Sequence, residues 1–127
     1  MRTIPVKDII DNVKEMCIEA NHFLTKDMRQ ALKQAEHTEK SPLGRQVLIQ
    51  LEDNLQIAAQ DMIPICQDTG MAVVFMEVGQ DVHVEGGLLT DAVNEGVRQG
   101  YQEGYLRKSV VKDPIKRENT KDNTPAV

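Results

Sequence analysis

The most reactive side chains of this sequence stand together in Cys66-Gln67-Asp68-Thr69-Gly70, directly before an apolar run. A cysteine thiolate can ligate a metal or act as a nucleophile, and a carboxylate can move a proton. Pro64 and Gly70 disfavour a regular helix, so we predict a loop, and loops on a rigid scaffold often carry functional sites. Spacing alone leaves a second interpretation open, with Cys66 buried and Asp68 capping an Asx-turn.

The other titratable groups are isolated along the sequence. Cys17 lies on the apolar stripe of a predicted helix, where free cysteine behaves as a small hydrophobe. His22 and His37 fall at predicted helix ends and are expected at the surface. No cysteines or histidines have zinc-site spacing, and Cys66 has no nearby resolving cysteine, which disfavours a thiol redox function.

Cationic and glycine-rich segments near the last predicted helix each allow two interpretations. Arg107 and Lys108 follow that helix, where cations complement the helix dipole, but a guanidinium also forms a forked pair with a carboxylate. Gly86-Gly87 before Thr90 fits a tight turn into a helix or a weak anion site at a helix start.

Helical periodicity dominates the first half of the chain. Apolar residues spaced by three and four predict one helix from about Val6 to Leu24, a second from Lys26 to about Glu39 and a third carrying the stripe from Leu43 to Met62. Thr25 is the predicted N-cap of the second helix.

The second half has a different pattern. Ala72–Val78 is predicted to be a buried strand and residues 82–84 a short returning strand. Thr90 is the predicted N-cap of a helix from Asp91 to about Gly104, which its internal glycines weaken unless close packing requires them.

The fold class is therefore predicted as α+β and mainly helical, within a single domain, 1–127. A three-helix region (1–62) lies beside a small β-sheet and a further helix (63–104), followed by an extended tail (105–127).

Composition excludes several function classes. The net charge of -5 and the aromatic content of 3% argue against nucleic-acid binding. The longest apolar run, Met71 to Met76, is too short to cross a membrane, and the N-terminus lacks the apolar stretch of a signal peptide. Two cysteines cannot form a disulfide framework, so a cytoplasmic location is expected.

Several motifs taken in order resemble one family. The Ile63-to-Gly70 loop is followed by an apolar run, by Gly86-Gly87, by Ala92-Val93-Asn94-Glu95-Gly96-Val97 and by Asn119-Thr120-Lys121-Asp122-Asn123-Thr124-Pro125-Ala126. Over essentially the whole chain, the sequence resembles the N-terminal part of the α subunit of class I fumarate hydratases and their L-tartrate dehydratase relatives.

This resemblance implies a hydro-lyase that adds or removes water on a four-carbon dicarboxylate, either fumarate/malate or tartrate, with a [4Fe–4S] cluster as Lewis acid. It implies Cys66 as a cluster ligand, Gln67 and Asp68 as substrate-binding residues, Asp68 also as the proton-transfer group, and Arg107 as a clamp for a substrate carboxylate.

The resemblance also implies that other parts are needed. The remaining cluster ligands are expected beyond Val127, in the rest of the α subunit, and further substrate contacts in a β subunit or C-terminal domain. The complete enzyme is expected to be oligomeric, and the 127-residue fragment alone to be inactive and without its cluster. The alternative is a non-catalytic helical interaction domain with a buried loop cysteine.

Overall fold

A computed structural model describes all 127 residues as four helices and two short strands. In chain order the elements are β1 (Arg2–Pro5), α1 (Val6–His22), α2 (Lys26–Thr38), α3 (Pro42–Asp61), β2 (Val82–Glu85) and α4 (Leu89–Glu103). This confirms the mainly helical α+β class. None of the four helices combines the length and apolar content needed to cross a bilayer.

The chain divides into two compact units. Unit 1 comprises Met1–Glu19 and Asp68–Val127, and unit 2 comprises Ala20–Gln67. Most of α1 therefore belongs to unit 1, and its last turn belongs to unit 2. The single-domain organisation stays a prediction.

The core of unit 1 forms between α1 and α4. Its buried members are Val13, Cys17, Val97, Tyr101 and Leu106. Removing these side chains from water is the main favourable contribution to this packing. Cys17 thus has the structural place that its position on the helical stripe predicts, and burial raises the pKa of its thiol.

Two glycines of α4 allow the helices to approach closely. A Cβ atom at Gly96 would lie 2.7 Å from the Val13 Cβ and 2.8 Å from the Ile10 carbonyl oxygen. At Gly100 it would lie 2.8 Å from the Cys17 Cβ. The spacing of four residues puts both glycines on one face of α4, so close packing offsets their low helix propensity.

The β-sheet differs from the predicted one. β1 and β2 pair in parallel, with Arg2 opposite Val82 and Pro5 opposite Glu85. The prediction of a strand at residues 82–84 is confirmed, but its partner is the N-terminus of the chain and not Ala72–Val78. The parallel arrangement is possible because a long stretch of chain separates the two strands.

The prediction that Ala72–Val78 forms a buried strand is wrong. The segment is assigned to no strand, and Phe75 is 94% exposed. Its backbone makes ladder-like hydrogen bonds with Val127 alone, through the Val74 N–H and the Ala72 carbonyl. A strand pairs with its partner over several residues, whereas this segment pairs only with the single residue Val127.

Unit 2 is built around the α2–α3 pair. Arg29 of α2 donates to Glu52 of α3 at 2.9 Å, and Leu55 and Ala58 are the buried residues of α3. The rest of the predicted α3 stripe is more open, and Leu43 is 72% exposed.

Predictions for individual residues of the helices had mixed outcomes. Thr25 is the N-cap of α2 as predicted, although its side chain makes no capping hydrogen bond. The N-cap of α4 is Leu88 and not Thr90, because the Leu88 carbonyl already accepts from the Ala92 N–H at 3.0 Å. His37 is exposed, but the surface prediction for His22 is wrong, since His22 is buried at 2% exposure.

The segment predicted as an extended tail, residues 105–127, contains no helix or strand. Turns and an isolated antiparallel bridge between Val111 and Asn119 fold it back on itself. Asn123 within it is completely buried, so this end of the chain is part of the packed interior of unit 1.

Replacing Gly96 with alanine should lower the free energy of unfolding by about 1–3 kcal/mol, because the new methyl group overlaps α1. Helix propensity alone predicts the opposite, a gain of about 1 kcal/mol. Urea denaturation measures the difference. Gly79→Ala is the control, since its Cβ would lie 3.7 Å from the nearest side chain. A Gly96→Ala chain as stable as the parent would contradict the close helix approach.

Candidate active site

The loop that carries Cys66 is anchored through the residue before it. In unit 2, the Ile65 N–H donates to the Asn21 carbonyl at 2.8 Å, and the Ile65 carbonyl accepts from the Asn54 side chain at 2.8 Å. Met62 ends α3 in a left-handed conformation that turns the chain into this loop. Cys66 and Gln67 follow the anchored residue directly and are both exposed.

The exposure of Cys66 contradicts the burial that one of the sequence-based alternatives assumes. The interaction-domain hypothesis placed this cysteine in the interior of a loop, whereas the structure leaves its side chain open to solvent. An exposed thiol is available to a metal or a substrate, and a buried one is not.

Asp68 is held by a short turn at the start of the second segment of unit 1. Its Oδ1 accepts from the Gly70 N–H at 3.0 Å, which is the Asx-turn that the sequence allows. Gly70 adopts a φ of +60°, in the left-handed region that glycine enters at no steric cost. The second carboxylate oxygen of Asp68 has no hydrogen-bond partner in the chain and stays available.

Asp68 and Arg107 line the same cleft in unit 1. The cleft has a volume of about 400 Å³ and is completed by Gly70, Met71 and residues 109–111. The volume lies within the ~300–1,000 Å³ of typical small-molecule sites. An exposed carboxylate and an exposed guanidinium thus share one opening. The two residues are far apart in the sequence, since Thr69, the neighbour of Asp68, lies 38 positions before Arg107.

Buried and partly buried hydrogen bonds hold the two sides of this cleft together. The Thr69 hydroxyl donates to the Arg107 carbonyl at 3.0 Å. The Tyr101 hydroxyl, from α4, is within donating distance of the Thr69 carbonyl at 2.8 Å and the Gly70 carbonyl at 3.2 Å. Tyr101 is 2% exposed, so the polar end of a core residue fixes the backbone beside Asp68.

The side chain of Asn123 joins three backbone groups around the cleft. Its Oδ1 accepts from the Ser109 N–H at 2.8 Å and the Val110 N–H at 3.0 Å, while its Nδ2 donates to the Gly70 carbonyl at 3.1 Å. Asn123 has a φ of 62°, a conformation that asparagine tolerates better than most residues. It therefore connects the Asp68 turn with the segment that follows Arg107.

The turn around Asn123 has its own support. The Asn119 side chain donates to the Lys108 carbonyl at 2.8 Å, next to Arg107. Partial burial acts to raise the pKa of Asp122, but hydrogen bonds from the Thr124 N–H and hydroxyl outweigh it and hold that pKa below its usual value.

Sequence reasoning did not assign site roles to Thr69, Tyr101 or Asn123. A signal for Asn123 was present, because it stands in a run of turn-forming residues that includes Asn119 and Pro125. No local signal could show that its side chain bonds to Gly70, since the two are 53 positions apart in the sequence. Within the chain, no three His, Cys, Asp or Glu side chains form a metal-binding group.

Comparison with known proteins supplies a family for this arrangement. The sequence model of the family described as fumarate hydratase (fumerase) matches residues 10–127. The chain is also 34% identical over 116 residues to a protein of Methanocaldococcus jannaschii provisionally named L(+)-tartrate dehydratase subunit alpha. That match includes 91% of this chain but 40% of the relative, so the chain spans less than half of the relative's length.

Replacing Asn123 with alanine should lower the free energy of unfolding by about 2 kcal/mol, because it leaves the Ser109 and Val110 N–H groups without their acceptor and removes one of two donors to the Gly70 carbonyl. Urea denaturation measures the loss. The matched control is Asn12→Ala at an exposed position of α1, where the change should stay within about 0.5 kcal/mol. Equal stability of the two variants would remove Asn123 as the connection across the cleft.

Proposed function

Since the chain belongs to the class I fumarate hydratase family, a family of hydro-lyases, we propose that it is the N-terminal part of a [4Fe–4S]-dependent hydro-lyase acting on a four-carbon dicarboxylate. The substrate class is fumarate/malate or tartrate. The observation that supports this proposal most directly is the shared cleft of Asp68 and Arg107. It provides a cation for a substrate carboxylate and a carboxylate for proton transfer at one opening.

The donor set of this chain fits a single corner of such a cluster. Cys66 is exposed and follows an anchored residue, so its thiol is accessible to a metal in a fixed place, whereas burial of Cys17 disfavours the thiolate that iron would bind. Cys66 is therefore the proposed ligand, and the remaining ligands would come from the rest of the full-length protein. When bound, the cluster would supply a Lewis-acid iron that polarises the substrate hydroxyl.

Asp68 is the proposed proton-transfer group. The Asx-turn fixes one of its oxygens on the Gly70 N–H, and Asp68 lines the cleft. A carboxylate oriented in this way can accept a proton from one of the two central carbons of the substrate and return it in the reverse reaction. Holding the group in place beforehand lowers the entropic cost of the proton transfer.

Arg107 is the proposed clamp for a substrate carboxylate, and Gln67 a further substrate contact. The guanidinium can form two parallel hydrogen bonds to a carboxylate, which sets the orientation of the substrate as well as its affinity. The Thr69 hydroxyl fixes the backbone of Arg107, so the clamp is positioned relative to the Asp68 turn. The exposed amide of Gln67 can donate to a second oxygen.

The relative is described as a subunit alpha, and this description supports our proposal that the chain has partner polypeptides. We expect this chain to work with the remainder of an α subunit and with a β subunit or fused C-terminal domain, in an oligomeric enzyme. We propose the reducing cytoplasm as its location, where cysteines outside any disulfide are maintained.

In the full-length enzyme, Cys66→Ala should abolish cluster binding, because one of the thiolate ligands is lost. Iron and labile sulfide content per chain measure the effect, together with hydratase activity. Cys17→Ala is the matched control, and it should keep its iron because that thiol lies in the core of unit 1. Normal iron in the Cys66 variant would refute the ligand assignment.

Asp68→Asn should leave the iron content unchanged and reduce kcat by about 10²–10⁴-fold, the usual contribution of general acid–base catalysis. The amide oxygen can still accept from the Gly70 N–H, so the turn should survive. Steady-state kinetics on fumarate and tartrate measure the loss, with Asp53→Asn on the exposed side of α3 as the control. Near-normal turnover would exclude Asp68 from the mechanism.

A further inference from the structure

Within unit 1, the backbone of Val127 is hydrogen-bonded to Ala72 and Val74 in the pattern of a parallel β-ladder. Its N–H donates to the Ala72 carbonyl at 3.0 Å, and its carbonyl accepts from the Val74 N–H at 2.8 Å. One residue bonded to both neighbours of Val73 is the repeating unit of two strands that run in the same direction. The ladder begins here and contains this single residue pair.

A hydrogen bond from α4 holds this segment in place. The Asn94 Oδ1 accepts from the Ala126 N–H at 2.9 Å, so the chain reaches Val127 with its direction set. Val127 is one of the residues that line an open groove of about 210 Å³. It runs between the 74–76 backbone and α4 and is lined mainly by apolar side chains: Val74, Met76, Leu89, Val93, Ala126 and Val127.

The backbone beyond Val74 is unpaired along this groove. Met76 and Val78 make no backbone hydrogen bonds within the chain, and Phe75 and Val78 are 94% and 51% exposed. A backbone segment with unpaired N–H and carbonyl groups and apolar side chains is a template for another strand, and proteins usually cover such a segment.

We propose that this groove binds an extended strand of alternating apolar and polar residues, running parallel to residues 74–78 as the continuation of Val127. The proposed occupant is the polypeptide that follows Val127 in a full-length subunit. The Methanocaldococcus jannaschii relative is long enough to supply such a segment, because the match covers 40% of its length. The proposal concerns assembly of the fold and does not depend on the reaction that the enzyme performs.

The register of the ladder determines which groups are used. If the pattern at Val127 repeats, the residue two positions later accepts from the Met76 N–H, and the residue four positions later accepts from the Val78 N–H. The N–H groups of Phe75 and Glu77 point away from the added strand. The first, third and fifth added residues share the face of Val74 and Met76, so apolar side chains there fill the groove against α4.

The test extends the 127-residue chain after Val127 with Val-Thr-Val-Thr-Val-Thr and compares it with a Gly-Ser-Gly-Ser-Gly-Ser extension of the same length. Amide hydrogen exchange followed by NMR should slow by about tenfold or more at Met76 and Val78 in the first chain alone, with Phe75 and Glu77 unchanged.

Two results would overturn the proposal. One is equal exchange at Met76 and Val78 with both extensions, or protection at Phe75 and Glu77 in their place. The other is protection of Met76 in the unextended chain that increases with protein concentration, which would identify a second copy as the occupant.

Discussion

The buried amide of Asn123 is the interaction on which the arrangement of unit 1 depends most. It bonds to Gly70 on one side and to Ser109 and Val110 on the other, and its side chain is 0% exposed. An amide can satisfy donors and an acceptor at once, whereas an apolar residue of the same size would leave buried backbone groups unpaired. The segment after α4 is therefore held beside the Asp68 turn by one side chain.

The helical core provides the rigid support for this polar network. α4 packs closely on α1 because Gly96 and Gly100 lack side chains, and the same helix presents Tyr101 to the Thr69 and Gly70 carbonyls. The site residues themselves lie on loops, while the groups that position them come from the buried face of a helix. Buried residues of α4 thus hold the loops in place, and the loops carry the candidate site residues, as is usual for functional sites.

The same core leaves two features open within unit 1. The cleft of Asp68 and Arg107 has a volume of about 400 Å³, and the groove beside Met76 has an unpaired backbone. Both features fit a chain that matches 40% of its relative's length. Asp68 and Arg107 already share a cleft within this chain, so under our proposal further polypeptide would add cluster ligands and strand pairing to groups that are in place.

The sequence by itself determined the helices, the mainly helical class and the Cys66-to-Gly70 loop, because helical periodicity and turn residues are local signals. It also carried the family resemblance that the comparisons confirmed. Only the tertiary structure decided that β2 pairs with β1, that Ala72–Val78 stays without a full partner and that Asn123 reaches Gly70. These features depend on contacts between residues far apart in sequence, and local patterns do not contain the partner of a strand or of a buried side chain.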